Sequence, residues 1–381
     1  MKGSGHIRYI GRNVQNIPGL KTRRKIVVIE SDDWGSIRMS SRKTYDSLLS
    51  MGYTFIQNRY NQFDALESNE DIEILFDALI KFKDINGHPP IITANNIVGN
   101  PDFKKIKDSE FKEYFFEPFP LTYMRYPNHD RAFELLKKGI RDGVIKPQFH
   151  GRDHVNVAAW LSALQKDDKN VHLAFSEKMI SFHSDTSADP KEQYMDALYS
   201  KNKNDKVYIL KSLIEGANLF KEIWGFESKS FIAPCYIWDS EIEDILMNEG
   251  VRFLQGVYIQ LEPSFLNKLR KKYHYVGQQN HSGQYYLVRN AIFEPSSRKY
   301  MDPVGNCLKE VAIAFRWMKP AIICSHRVNY IGSIYPENRT KNIILLKQLL
   351  AAILKKWPDV EFMSSDQLGM LLSSSSENDN S

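Results

Sequence analysis

The chain has 381 residues, 42% hydrophobic and 12% aromatic, too many for a minimal domain but within the range of one α/β barrel with a sizeable core. Its net charge of +5 argues neither for nor against nucleic acid; with no arginine-rich run and no aromatic RNA-binding signature, no such partner is expected. Cys235, Cys307 and Cys324 are widely spaced with no CxxC pair, so the sequence suggests neither a disulfide framework nor a cysteine zinc site, and a reducing compartment is the simpler setting.

Residues 1–24 read as a basic segment without the apolar run of a signal peptide. No apolar run reaches the ~20 residues of a membrane span, so a cytoplasmic location follows by default. The first strand is Ile26-Val27-Val28-Ile29, which runs into Glu30-Ser31-Asp32-Asp33-Trp34-Gly35. A helix follows around Tyr45–Leu49. A clearer one spans Asp71–Phe82, with Ile72, Leu75, Phe76, Leu79 and Ile80 on one face. His88-Pro89-Pro90 ends it and Ile91–Asn96 is the next strand, a β-α-β unit that predicts a parallel sheet.

Residues near 100–130 read as an insertion. Its aromatics Phe115, Phe116, Phe119, Tyr123 and Tyr126 suit packing, or a groove in which rings stack on sugars. Ala132–Arg141 is a helix with Gly143 beyond it as a C-cap, and Ile145–Phe149 a short strand that exits into His150-Gly151-Arg152-Asp153-His154. Val155–Leu164 is helical. Residues near 165–206, with Asp185, Asp189, Pro190 and Lys191 in loop chemistry, form a second excursion. Val207–Trp224 and Asp239–Asn248 are helices on either side of a strand at Phe231. Strands at Arg252–Gly256, Tyr285–Asn290, Ala321–Arg327 and Glu361–Ser364 alternate with helices at Asp302–Met318 and Ile343–Trp357. Residues 373–381 are polar and of low complexity and are expected to be disordered.

The alternation predicts an α/β fold, a distorted (β/α)7-type barrel over residues 25–372 with two insertions, in which functional groups collect at the C-terminal strand ends. Asp32, Asp33, His150, His154 and His326 all sit at such ends. Two adjacent carboxylates at the mouth of a buried strand each need a partner, a metal or water. Strand neighbours point to opposite faces, but a chain that curls at its end brings both into one cavity, one as metal ligand and the other as base. The alternative is a solvated acidic turn. His150 and His154, four residues apart, share a face on a helical turn and with one carboxylate make a two-His, one-carboxylate set. Such a set suits zinc, with cobalt, nickel, manganese or iron as alternatives. Taken alone, HxxxH is a weak signal. A metal there activates water, the free aspartate takes the proton, and His326 protonates a leaving group.

Ser31-Asp32-Asp33-Trp34-Gly35, His150-Gly151-Arg152-Asp153-His154, Ala233-Pro234-Cys235-Tyr236 and Ile322-Ile323-Cys324-Ser325-His326 occur in the order of the motifs of the polysaccharide deacetylase family, which the chain resembles. The resemblance implies a metal-dependent carbohydrate esterase with Asp32 as base, His326 as general acid and Asp33, His150 and His154 on the metal. The substrate-binding set expected with it is Trp34, Pro234, Tyr236, Arg289 and Arg327. Three features depart from the family: Ile232 stands where an arginine usually tunes the catalytic aspartate, Gly151 where Ser or Thr is usual, and the tryptophan-containing motif between the third and last motifs is not recognisable. Arg152, Arg289 and Arg327 are candidates for the missing guanidinium. The expected activity is removal of an N- or O-acetyl group from a carbohydrate. The rivals are a glycosidase, using Glu30 with Asp32 or Glu294 as its acid pair, and a sugar-binding barrel without turnover.

Overall fold

The computed structural model describes residues 2–182, 194–264, 268–297 and 301–379. Its central element is strand β1 (Lys25–Trp34), buried along all but its first residue. The remaining strands in chain order are β2 (Ile92–Asn96), β3 (Gly99–Pro101), β4 (Phe116–Pro118), β5 (Ile145–Phe149), β6 (Ser230–Ile232), β7 (Phe253–Gly256), β8 (Ile259–Ser264), β9 (Lys268–Tyr273), β10 (Tyr285–Val288), β11 (Ala291–Ile292), β12 (Ala321–His326) and β13 (Val360–Met363). Nine of them form one sheet in the order β10-β7-β6-β5-β2-β1-β12-β11, with β13 paired to β1. Every pairing within it is parallel.

The sheet curls into a barrel. Strands β10 and β11 end opposite sides of the hydrogen-bonded path, yet only Arg289 and Asn290 separate them in the chain. At this seam the Asn290 side chain takes the place of a strand. Its Nδ2 donates to Pro320 O and its Oδ1 accepts from Ile322 N, both at 2.9 Å. The sequence predicts every strand of this sheet except β11, which is too short to carry an alternation pattern. β13 also uses only the first half of β1 (Lys25–Val28), leaving Ile29 onward to β2.

The pleat sorts side chains into two cores. Val27 and Ile29 pack outward with Leu75, Val311 and Leu349 of the helices Asn69–Leu79, Pro303–Arg316 and Pro336–Lys356. Ile26 and Val28 belong to the other core with Ile322, Phe149 and Leu287. Glu30 and Asp32 continue this second face by simple alternation.

Three stretches differ from expectation. The basic segment 1–24 contains a helix, Lys2–Asn16, that lies over the seam: Gln15 Nε2 donates to Arg289 O (2.6 Å), Asn290 Nδ2 donates to Asn16 Oδ1 (2.9 Å) and Arg12 pairs with Glu310 (2.8 Å). The tail expected to be disordered from residue 373 is instead helical as far as Asp379, in the helix Ser365–Asp379. Buried Leu368 and Leu372 anchor that helix, and the Ser373 and Ser374 hydroxyls bond back to the carbonyls of Met370 and Leu371. The stretch between β7 and β10 carries an antiparallel hairpin, β8–β9, where the sequence predicts no element.

In the first insertion Phe119 and Tyr123 are core residues, and none of its five aromatics reaches the cavity described below; they pack. In the second, Lys169–Ser176 is helical, and Asp185, Asp189, Pro190 and Lys191 lie outside the described residues. No helix among the described residues is long and apolar enough to cross a membrane.

Asn290→Ala removes both partners of a buried backbone N–H and C=O at the seam. At ~1–3 kcal/mol per unsatisfied group, urea unfolding will show a lowered midpoint.

Candidate functional site

Asp32 reaches the barrel mouth as the last residue in regular register, its Cα opposite His326 of β12. Between Ser31 and Trp34 the pairing with β2 shifts register, and Asp33 adopts φ +75°. A left-handed residue inside a bulge re-aims its side chain. Asp33 therefore faces the same cavity as Asp32, where strict alternation would send it to the other side. Gly35 follows with φ +78°, and a Cβ there would lie 2.6 Å from Ile97 O, so only glycine fits the turn.

His150 follows β5 and His154 lies four residues on. Asp33 Oδ1 is 3.5 Å from His150 Nε2 and 3.3 Å from His154 Nε2. His150 Nδ1 lies 2.9 Å from the Ile232 carbonyl, which can only accept. The proton is therefore on Nδ1, and Nε2 presents a lone pair. That Nε2 is buried without a hydrogen-bond partner. Burial lowers the His154 pKa, favouring the neutral ring, and its Nδ1 is also unpartnered. Burial raises the Asp33 pKa, but the imidazoles beside it and the charge of Arg38 hold it well below the usual carboxylate value. Ligand atoms of these three residues lie within 4.8 Å of one another. An anionic oxygen, an imidazole lone pair with no proton to share and a second neutral imidazole fit a divalent cation in both charge and donor type.

Asp32 is held differently. Arg289 grips it with two bonds, Nη2 to Oδ1 at 2.6 Å and Nη1 to Oδ2 at 2.7 Å, and Asn95 Nδ2 adds a third at 2.7 Å. Burial pushes this carboxyl up, but Arg289, with help from His326 and His150, overrides it and holds the pKa at about 2. Of the three candidate arginines, Arg289 is thus the one that reaches Asp32. It comes from the seam and not from the position of Ile232, which is buried in β6. Arg152 instead pairs with Asp153 (2.6 Å) and Glu215 (2.5 Å).

His326 Nε2 faces Asp32 Oδ2 at 3.6 Å, and Nδ1 contacts Glu294 Oε1 at 2.5 Å. Burial lowers the His326 pKa, but the Glu294 charge and hydrogen bond more than reverse this, so the pKa ends above its ordinary value. Glu294 is itself held at about 2: burial is outweighed by His326 and Arg59. Arg59 Nη1 is 2.6 Å away and Asn329 Nδ2 2.9 Å. Neither Glu30 nor Glu294, the acids a glycosidase would add, lines the cavity that holds Asp32. Glu30 and Asp32 share one guanidinium, Arg289 Nε lying 2.6 Å from Glu30. Glu294 is spent on His326, Arg59 and Asn329.

Asp32, Asp33, His150, His154, His326 and Tyr236 line one cavity of about 320 Å³. Four residues expected at the substrate do not line this cavity. Trp34 is 2% exposed in the outer core, its indole bonded to Ser31 Oγ, because the bulge turns it outward past Asp33. Arg327 is fully buried between Asp64 and Glu67. Pro234 is buried behind the Ala233, Cys235 and Tyr236 wall. Arg289 touches Asp32 and Tyr236 but does not line the cavity. Sequence reasoning missed Arg38, Asn58, Arg59 and Tyr60, which line the cavity from the stretch after β1. No motif marks them; only the tertiary path brings them there.

No family model and no curated protein matches the chain. Solved structures do share its fold. A protein assigned as a glycoside hydrolase/deacetylase from Parabacteroides distasonis superposes with TM-score 0.50 at 8% identity, covering 93% of this chain and 72% of that one. One assigned as a polysaccharide deacetylase from Mycobacterium smegmatis gives 0.43 at 11% identity, covering 94% and 93%. The 4-alpha-glucanotransferase from Thermococcus litoralis gives 0.40 at 10% identity over 91% of this chain, which spans only 40% of that protein's length. At these identities the likeness is one of fold alone, a (β/α) barrel.

Purified protein incubated with zinc is expected to retain about one equivalent after desalting. His150→Ala and His154→Ala each abolish retention, read by elemental analysis.

Proposed function

We propose that the chain is a metal-dependent hydrolase that removes an N- or O-acetyl group from a carbohydrate. The observation that carries this reading is the convergence of the Asp33, His150 and His154 group with Asp32 and His326 in one cavity. Asp33, His150 and His154 would hold the cation, zinc in the first instance. When bound, it supplies Lewis acidity that polarises an acyl carbonyl and acidifies water.

The remaining chemistry belongs to the chain. Arg289 keeps Asp32 ionised; Oδ1 accepts from both Arg289 and Asn95, but Oδ2 accepts a single guanidinium bond and so keeps a lone pair for the proton of an attacking water. Glu294 holds the His326 ring by Nδ1 and favours its protonated form, so Nε2 presents a proton toward the cavity. That proton is available to the departing amine or alcohol. The acid and base thus have environments that drive their pKa values apart, the arrangement a two-residue proton shuttle needs.

Two measurements test this reading. On acetylated oligosaccharides the zinc-loaded protein should release acetate without new reducing ends, and Asp32→Asn should lower that rate by about 10²–10⁴-fold, the usual share of a general base. Reducing-end release without acetate would favour the glycosidase. Because Glu294 raises the His326 pKa, the protonated acid persists to higher pH in the wild type. Glu294→Gln should therefore move the alkaline limb of the kcat profile to lower pH, and an unmoved limb would remove His326 from the acid role.

A further inference from the structure

The helix Lys2–Asn16 is mounted with its polar side inward. Arg12 pairs with Glu310 at 2.8 Å, Gln15 Nε2 donates to Arg289 O at 2.6 Å, and Asn290 Nδ2 donates to Asn16 Oδ1 at 2.9 Å. At about 3.6 residues per turn, positions 12, 15 and 16 lie opposite positions 10, 14 and 17, the last just past the helix end. Those outer positions hold Ile10, Val14 and Ile17, which are 50%, 49% and 50% exposed. A surface helix of a globular protein normally does the reverse and turns its apolar stripe to the core. Packing on the barrel gives no reason for this stripe, because the contacts that seat the helix are polar.

Charge and size constrain what covers it. Residues 1–29 contain seven Lys and Arg and no Asp or Glu. Arg12, Arg24 and Lys25 meet carboxylates of the barrel. Lys21 and Arg23 are exposed and pair with no described carboxylate. Arg316, also exposed, adds a third such cation beside the helix, its Nη1 donating to the Tyr9 hydroxyl at 2.9 Å. A second copy docked here about a twofold axis would set these cations against one another. Three half-exposed side chains also fall far short of the ~800 Å² per partner that a standard protein interface buries. A bilayer surface asks for less: a few apolar side chains entering the headgroup boundary, flanked by bases that face anionic lipid. We propose that this face of the helix seats on an anionic membrane surface, with Ile10, Val14 and Ile17 in the headgroup boundary and Lys21, Arg23 and Arg316 toward the lipid phosphates. The inner polar contacts stay in place, so the barrel docks as a folded whole. This docking is independent of the deacetylase reading.

The test is sedimentation of the full chain with vesicles of phosphatidylcholine alone, and of phosphatidylcholine and phosphatidylglycerol in equal parts. The protein should bind the mixed vesicles, bind phosphatidylcholine weakly and lose binding as salt rises. The triple variant Ile10→Gln, Val14→Gln, Ile17→Gln should lower the partition coefficient on mixed vesicles about ten-fold or more, through lost apolar insertion. Lys21→Glu combined with Arg23→Glu should lower it to a similar degree. All five positions are exposed, so the urea midpoints should match the wild type; should one variant fall short, the other decides. No binding to mixed vesicles, equal binding to the two vesicle types, or binding unchanged by the variants overturns the proposal. So does a dimer in sedimentation velocity that the triple variant dissolves, since a second copy then covers the face.

Discussion

The contact on which the rest depends is the grip of Arg289 on Asp32 and Glu30. All three are buried, Arg289 at 1% exposure. Removing a carboxylate from water is costly, and doing so twice beside one another is worse unless a cation lies between them with good geometry. The guanidinium meets that need with three short bonds from one planar group. This fixes where the seam of the barrel must fall, because Arg289 can reach the interior only from the two-residue link between β10 and β11. It also fixes the protonation of Asp32, which in turn divides labour between the two adjacent aspartates: one neutralised by arginine, the other turned to the imidazoles.

That division shows how one backbone irregularity sets a site. Had β1 stayed regular to Trp34, Asp33 would point away from Asp32. The bulge and the left-handed Asp33 bring both to one side, and the same shift sends Trp34 into the outer core. The burial of Trp34 in the outer core and the placement of both aspartates on one cavity therefore have the same cause.

Much of this was legible from the residues. The alternation of apolar strands and amphipathic helices carries the barrel, and the strand-end placement of Asp32, Asp33, His150, His154 and His326 carries the cavity. What was not legible depends on long-range placement. Arg152, Arg289 and Arg327 look equivalent in sequence, yet each ends with different carboxylates. Glu294 reads as a candidate catalytic acid until His326 is seen against it. Arg38 and Asn58 belong to no motif, and β11 has too few residues to announce itself. The N-terminal helix leaves little signal in the apolar pattern because its buried contacts are polar, through Gln15 and Asn16.

That helix sets an order of events during synthesis. Gln15 and Arg289 are 274 positions apart, and β1, among the first elements made, waits for Ala321–His326 on one edge. A growing chain leaves the ribosome with its earliest segments lacking their final neighbours, and closing loops this long is slow relative to local pairing. The cylinder can be shut only after Ala321–His326 has emerged, so β1 and β12 become structured together.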